Sequence, residues 1–160
     1  MSLSIKVHVA LQRVTLWNED SLLRWYLVST AKNGIGNLLH SEKTPLGKHE
    51  ICEKIGEGMS WNTVFRHRKP TGERYTPYLK NTQPGRDWIL TRILRLKGLE
   101  EGINQGGEVD TFARCIYFHG APDESPMGIP ASRGCIRMHH WDIVELFDTV
   151  SLGTPVEILP

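Results

Sequence analysis

A mainly β fold of the α+β class, with one or two short helices, is what this sequence predicts. Three observations predict it. Apolar and polar residues alternate with period two at the start of the chain, Gly, Pro and Asn recur between short apolar runs, and only residues 140–150 carry convincing helical spacing. A chain of 160 residues holds one domain with a real core, and no repeat, low-complexity tract or linker divides it, so residues 1–160 are expected to form a single domain.

Ile5, Val7, Val9 and Leu11 alternate with Lys6, His8, Ala10 and Gln12, the pattern of a half-buried first strand. Val14, Leu16 and the run from Leu22 to Ser29 continue in the same style, with Asn18-Glu19-Asp20 as a turn between them. A Gly/Asn loop at 32–37 and the segment Thr44-Pro45-Leu46-Gly47 lead into a short run from His49 to Cys52. Residues 56–87 are rich in Gly, Pro, Asn, Arg and Lys, and read as long loops with short strands between, an insertion suited to lining a binding face. Trp88 to Leu96 and Thr111 to His119 read as strands, the second buried near its end at Ile116-Tyr117-Phe118. A loop with three prolines spans 120–134. A helix follows from His140 to Val150, with Val144, Phe147 and Val150 on one face, and Val156 to Leu159 form a last strand.

Formal net charge is +1, so no global field recommends nucleic acid or an anionic membrane as partner. No apolar run approaches the length of a membrane span, and Met1 to Val9 lacks the uninterrupted apolar stretch of a secretion signal. The cysteines Cys52, Cys115 and Cys135 are far apart and none lies in a CxxC pair, which excludes a compact zinc knuckle or thioredoxin-like motif.

The chemistry is concentrated in Tyr117-Phe118-His119-Gly120, a loop, and Ser132-Arg133-Gly134-Cys135-Ile136-Arg137-Met138. A free thiol titrates near ~8.5, so a cysteine nucleophile needs a base or cation beside it at neutral pH. His119, delivered from the end of a buried strand, can be that base if the fold brings it against Cys135. Gly134 permits a tight turn that can aim the N–H groups of Gly134 and Cys135 at one spot as an oxyanion hole. Gly120 leaves room for substrate, and its carbonyl can orient the second imidazole nitrogen. Taken alone, a Cys and a His separated by a loop also fit a buried structural cysteine.

The whole string changes that balance. His119-Gly120, the Pro/Gly loop, Ser132 to Met138, an Asp-containing helix and Gly153-Thr154-Pro155-Val156 together resemble the YkuD-type L,D-transpeptidase catalytic domain. Thr44-Pro45-Leu46-Gly47 resembles that family's Thr-Pro-x-Gly turn, and Arg68 to Glu73 resembles a loop in its bacterial members. The resemblance runs from about Ile5 to Ile158. It implies an L,D-transpeptidase-like β-sandwich of mixed sheets. It also implies an acyltransferase in which Cys135 is acylated by peptidoglycan stem peptides, His119 is the base and Gly120 acts through its main chain. The thioester then passes to an amine, giving a cross-link, or to water, giving an L,D-carboxypeptidase. No cofactor and no metal are implied, and the location implied is the periplasm or cell envelope. One departure stands out: the family commonly has Ser-His-Gly-Cys where this chain has Ser132-Arg133-Gly134-Cys135.

Among the neighbours, Arg133 and Arg137 are candidates to grip substrate carboxylates, and Ser132 either bonds within the site or caps its turn. Asp142 is expected to cap the last helix. Arg92, Arg95 and Arg114 suggest a cationic face, and Trp61, Tyr75 and Tyr78 suggest contacts to glycan or peptide, each also explained by ordinary packing. A monomer is expected. Two rival readings come from other classes: a zinc protein using His119, Cys135, His139 and His140, and a non-catalytic wall-binding module on the same fold.

Overall fold

The protein is described here by a computed structural model covering residues 1–160. Its first three strands, β1 (Leu3–His8), β2 (Arg13–Asn18) and β3 (Ser21–Ser29), form an antiparallel meander. Ile5 and Val7 of β1, Val14 and Leu16 of β2, and Tyr26 and Val28 of β3 all point to one buried face, as their spacing requires. The first alternation stops at His8: Leu11, expected to continue the strand, is 63% exposed in the turn to β2. That turn is held by Gln12, whose side chain bonds Val9 and Thr30.

Next come β4 (Gly47–Ile55), the hairpin β5 (Thr63–Arg66) and β6 (Lys69–Arg74), and a short helix α1 (Pro77–Thr82). Thr76 starts α1 because its hydroxyl accepts from the Leu79 N–H, and Pro77 needs no partner in the first turn. The predicted insertion at 56–87 is therefore a hairpin and a helix joined by loops. β7 (Ile89–Gly98), β8 (Tyr117–Gly120), β9 (Ile136–Met138), α2 (His140–Thr149) and β10 (Pro155–Leu159) complete the chain. Residues 111–115, expected to open a strand, are turns, and Cys115 takes a left-handed backbone (φ 57°) outside the extended region of a regular strand.

The strands run β4-β10-β1-β2-β3-β9-β8-β7-β5-β6, and β4 also pairs with β7. Eight strands thus close on themselves, with the β5–β6 hairpin attached to the free half of β7. The sheet is mixed, as expected for the class: β1–β10 and β8–β9 are parallel and the other pairs antiparallel. All eight strands send apolar side chains into one core, and α2 adds Ile143, Leu146 and Phe147, with Val144 only partly covered. Each fully buried Val, Ile or Leu there contributes about 1.5–3 kcal/mol. Lys54 closes the end of α2 by donating to the carbonyls of Phe147 and Val150, where a cation suits the helix dipole. At its other end the capping position is His139, and Asp142 sits in the first turn without a capping bond, contrary to expectation.

One irregularity in β7 shapes the site. The register against β8 slips between Leu90 and Ile93, so that Thr91 and Arg92 bulge out, Thr91 with a left-handed backbone (φ 75°) rare for a β-branched residue. A side chain on Gly120 would meet the Leu90 carbonyl oxygen at 2.6 Å, so this glycine is needed for close strand approach. The space it leaves is filled by β7, and the substrate room expected there does not exist.

Candidate active site

β8 and β9 run parallel and adjacent, with Phe118 opposite Ile136 and His119 opposite Arg137. Side chains alternate across a sheet, so Phe118, Ile136 and Met138 enter the core while Tyr117, His119, Cys135 and Arg137 share the opposite face. There they line a cleft of about 450 Å³ with the β5–β6 hairpin along one wall. Cys135 and His119 therefore face the same cleft because two parallel strands are in register, although sixteen positions separate them.

The turn that presents Cys135 is tied by three hydrogen bonds from two side chains. Ser132 Oγ accepts from the Gly134 N–H at 3.1 Å and donates to the Cys135 carbonyl at 2.6 Å. Thr44 Oγ1 donates to the Gly134 carbonyl at 2.9 Å while accepting from the Ala31 N–H. Gly134 has φ 132°, and a Cβ there would lie 3.2 Å from Ile116 Cδ1 and 3.3 Å from the Lys43 carbonyl oxygen, so the position calls for glycine. Ser132 thus belongs to the turn, with its donor and one acceptor site used internally. The expected pair of oxyanion donors is also reduced. The Gly134 N–H is aimed at Ser132, and the Cys135 N–H alone makes no hydrogen bond within the protein.

His119 is almost fully buried, and its Nδ1 lies 2.8 Å from the Gly120 carbonyl oxygen. That carbonyl can only accept, so Nδ1 carries the proton and Nε2, which reaches the cleft, presents a lone pair. Burial is the main cause that lowers the imidazole pKa and keeps the ring neutral. Burial also pushes the Cys135 thiol up to about 12, against the opposing effects of the Tyr117 N–H and Arg137. The sulfur accepts from the Tyr117 N–H at 3.3 Å and lies 3.4 Å from the Cys115 carbonyl oxygen. It makes no hydrogen bond to the imidazole. The resting pair is a neutral thiol and a neutral imidazole opening onto one cleft.

Of the other predicted residues, Arg133 is exposed and bonded only to the Gly85 carbonyl. Arg137 bonds the Ala131 carbonyl and forms a 3.0 Å ion pair with Asp87, so much of its charge is already matched. Arg114 lines the cleft, but Arg92 and Arg95 are buried and bonded elsewhere, Arg95 to Glu53 and the Phe112 carbonyl. Trp61 packs on His140 and Trp141, Tyr75 on Trp88, and Tyr78 is exposed; none of the three lines the cleft. His119, Cys135, His139 and His140 do not gather, and no three His, Cys, Asp or Glu side chains are placed to hold a metal ion.

The L,D-transpeptidase catalytic domain profile of the YkuD family matches residues 2–158. The chain belongs to the YkuD family. YkuD of Bacillus licheniformis is 50% identical over 42 residues, 26% of each chain, and YqjB of Bacillus subtilis is 44% identical over 48 residues, 30% of this chain and 27% of that one. Among solved structures, an L,D-transpeptidase from Mycobacterium smegmatis matches with TM-score 0.63 at 16% identity, over 99% of this chain and 59% of that one. An L,D-transpeptidase solved with imipenem matches with TM-score 0.62 at 19% identity, over 99% and 59%. At these identities the structural matches establish the fold. The aligned part is about a quarter of each curated relative and about three-fifths of these structural neighbours.

In this YkuD domain two cleft residues, Asp87 and Arg68, were not singled out as site residues, although the segment 56–87 that holds them was expected to line a binding face. Asp87 orients Arg137, and Arg68 reaches Tyr117 Oη at 3.0 Å and Cys115 Sγ at 3.5 Å. Both lie in the loop-rich middle of the chain, where no periodicity marks a residue as facing the site. No helix is long and apolar enough to cross a membrane.

Proposed function

We propose that this chain is a cysteine acyltransferase of the L,D-transpeptidase type, acting on peptidoglycan stem peptides in the cell envelope, with Cys135 as nucleophile and His119 as base. The observation that carries this reading is that both side chains line one cleft, with His119 Nδ1 committed to the Gly120 carbonyl and Nε2 left to accept a proton. Membership of the YkuD family and the likeness to L,D-transpeptidase folds support it.

Because both groups rest neutral, the proton leaves sulfur during attack rather than before it. Sulfur bonds to the carbonyl carbon of the diamino acid as His119 Nε2 takes the thiol proton. The carbonyl oxygen becomes negative and receives the Cys135 N–H. Collapse of this intermediate breaks the peptide bond to the terminal D-alanine, whose amine takes the proton back from His119, and a thioester remains on Cys135. An amine of a second stem, or water, then attacks the thioester with His119 again as base. Arg133, whose guanidinium has one internal partner, has N–H groups left to hold a substrate carboxylate. Arg137, tied to Asp87, holds the cleft wall.

Incubation with a tetrapeptide stem and with imipenem, followed by mass spectrometry of the intact protein and the released products, tests the reading. The expected result is loss of D-alanine from the stem and a covalent adduct confined to the Cys135 peptide. Folded protein that yields neither would overturn it.

A further inference from the structure

Six arginines line the cleft that holds Cys135, from a chain with 19 Lys and Arg and a net charge of only +1. They arrive from five segments: Arg66 and Arg68 from the β5–β6 hairpin, Arg86 ahead of β7, Arg114 ahead of β8, Arg133 from the nucleophile turn, and Arg137 from β9. Asp87 is the only carboxylate in the lining, and it is taken by Arg137. Arg86 is matched by Glu73 at 2.8 Å. Arg66, Arg68, Arg114 and Arg133 form no salt bridge. Glu53, whose charge also reaches Arg68, is itself bonded to Arg95 at 2.8 Å. Four unmatched cations thus surround a half-enclosed space in which charge is screened less than on an open surface.

The hairpin tip shows that one of these charges is aimed there by the backbone. Arg66 pairs with Lys69, so His67 and Arg68 form a two-residue loop, and both have left-handed conformations (φ 50° and 64°). Asn and Gly usually supply that geometry; here a histidine and an arginine adopt it, and both line the cleft. Arg68 uses Nη1 for Tyr117 and Cys115 and has no internal partner for Nε or Nη2. On the other side, Arg133 borders both this cleft and a second one, of about 470 Å³, beyond Arg86 and Asp87. Planar guanidinium groups with free N–H edges pair with carboxylates and gain nothing comparable from neutral amides.

We propose that the cleft selects its acyl donor by the number of free carboxylates flanking the reacting carbonyl, with Arg68 and Arg133 as the specificity-determining residues. A stem peptide carrying free side carboxylates is acylated onto Cys135 in preference to the same peptide with those carboxylates amidated. This rests on Cys135 being the nucleophile proposed above.

Two measurements test it. The first compares alkylation of Cys135 by iodoacetate and by iodoacetamide, read on the Cys135 peptide by mass spectrometry so that Cys52 and Cys115 are scored separately. Thiolate sulfur displaces iodide in both reactions, and only the charge of the reagent differs. The acetate-to-acetamide rate ratio is expected to fall about tenfold in Arg68→Gln and in Arg133→Gln, to fall likewise at high salt, and to recover in Arg133→Lys. The second compares free-acid and amidated stems as donors, with about a tenfold preference for the acid expected per carboxylate. A ratio unmoved by both Gln variants, or equal use of both stems, would overturn the proposal. An anionic preference in alkylation without acylation by either stem would overturn the transferase reading and donor selection with it, whereas equal acylation by both stems would overturn donor selection alone.

Discussion

Ser132 Oγ donates to the carbonyl oxygen of Cys135 across 2.6 Å, and the same hydroxyl receives the N–H of the glycine between them. A side chain three residues before the nucleophile therefore sets the backbone from which the sulfur projects. Ser132→Ala leaves a buried N–H and a carbonyl without that partner, which costs about 1–3 kcal/mol. Stability to urea is expected to drop by that amount and acylation to slow at least tenfold, with the stem's KM nearly unchanged. A variant that loses stability but keeps its acylation rate would show that the turn does not place the sulfur.

In the proposed mechanism His119 serves chemistry and Arg133 serves binding. His119→Ala removes the proposed base, and acylation is expected to fall by about 10²–10⁴. Arg133→Ala removes an exposed guanidinium and is expected to raise KM with a smaller effect on kcat. Steady-state kinetics on one stem peptide separates the two, and equal, complete loss from both changes would refute the division.

The thiol of Cys135 is held up near 12 by burial, and this has a direct kinetic signature. Only the small thiolate fraction reacts with iodoacetamide, so alkylation of Cys135 is expected to accelerate about tenfold per pH unit from pH 6 past pH 9. A preformed thiolate–imidazolium pair would instead give a plateau by neutral pH. The sign for stability follows. A folded-state pKa above the unfolded value stabilises the protein fully below the unfolded pKa, near 9, and that contribution is lost as pH rises toward 12.

Acid acts through a different histidine. His49 is buried between the Gly47 carbonyl and Thr111 Oγ1, and burial lowers its pKa to about 4. A depressed folded-state pKa stabilises the protein above the unfolded value of 6.5 and ceases to do so as pH falls through 4. The loss over that window is on the order of 3 kcal/mol. His119 and His140, both lowered by burial, add in the same direction. Urea unfolding at successive pH values should show this slope, and His49→Asn should flatten it. An unchanged slope would exclude His49 as its source.

The strands nearest the ends were readable because their partners are simple. In β1, β2 and β10 one face is buried and the other wet, so Ile5, Val7, Val14, Leu16, Val156 and Ile158 announce themselves by period. That Cys135 and His119 would face one cleft was readable because a short motif carries the glycines that its turn and strand demand. Other features left no local trace. Arg92 and Arg95 looked like the wet side of a strand, yet the bulge in β7 and the ion pair with Glu53 take them inside. Thr111 to Cys115 has the composition of a strand, but its backbone turns while Arg114 fastens to the Gly36 and Lys43 carbonyls. Asp87 and Arg68 act on residues about fifty positions away, a relationship only the folded chain creates.

The last strand sits between β1 and β4, two partners made more than a hundred residues earlier. During synthesis those partners leave the ribosome with a vacant slot between them, and the barrel-like seam stays unsealed until Pro155–Leu159 emerges. Deleting these five residues would expose two hydrogen-bonding edges at once, so newly made chains are most prone to stick to one another just before the final strand is delivered.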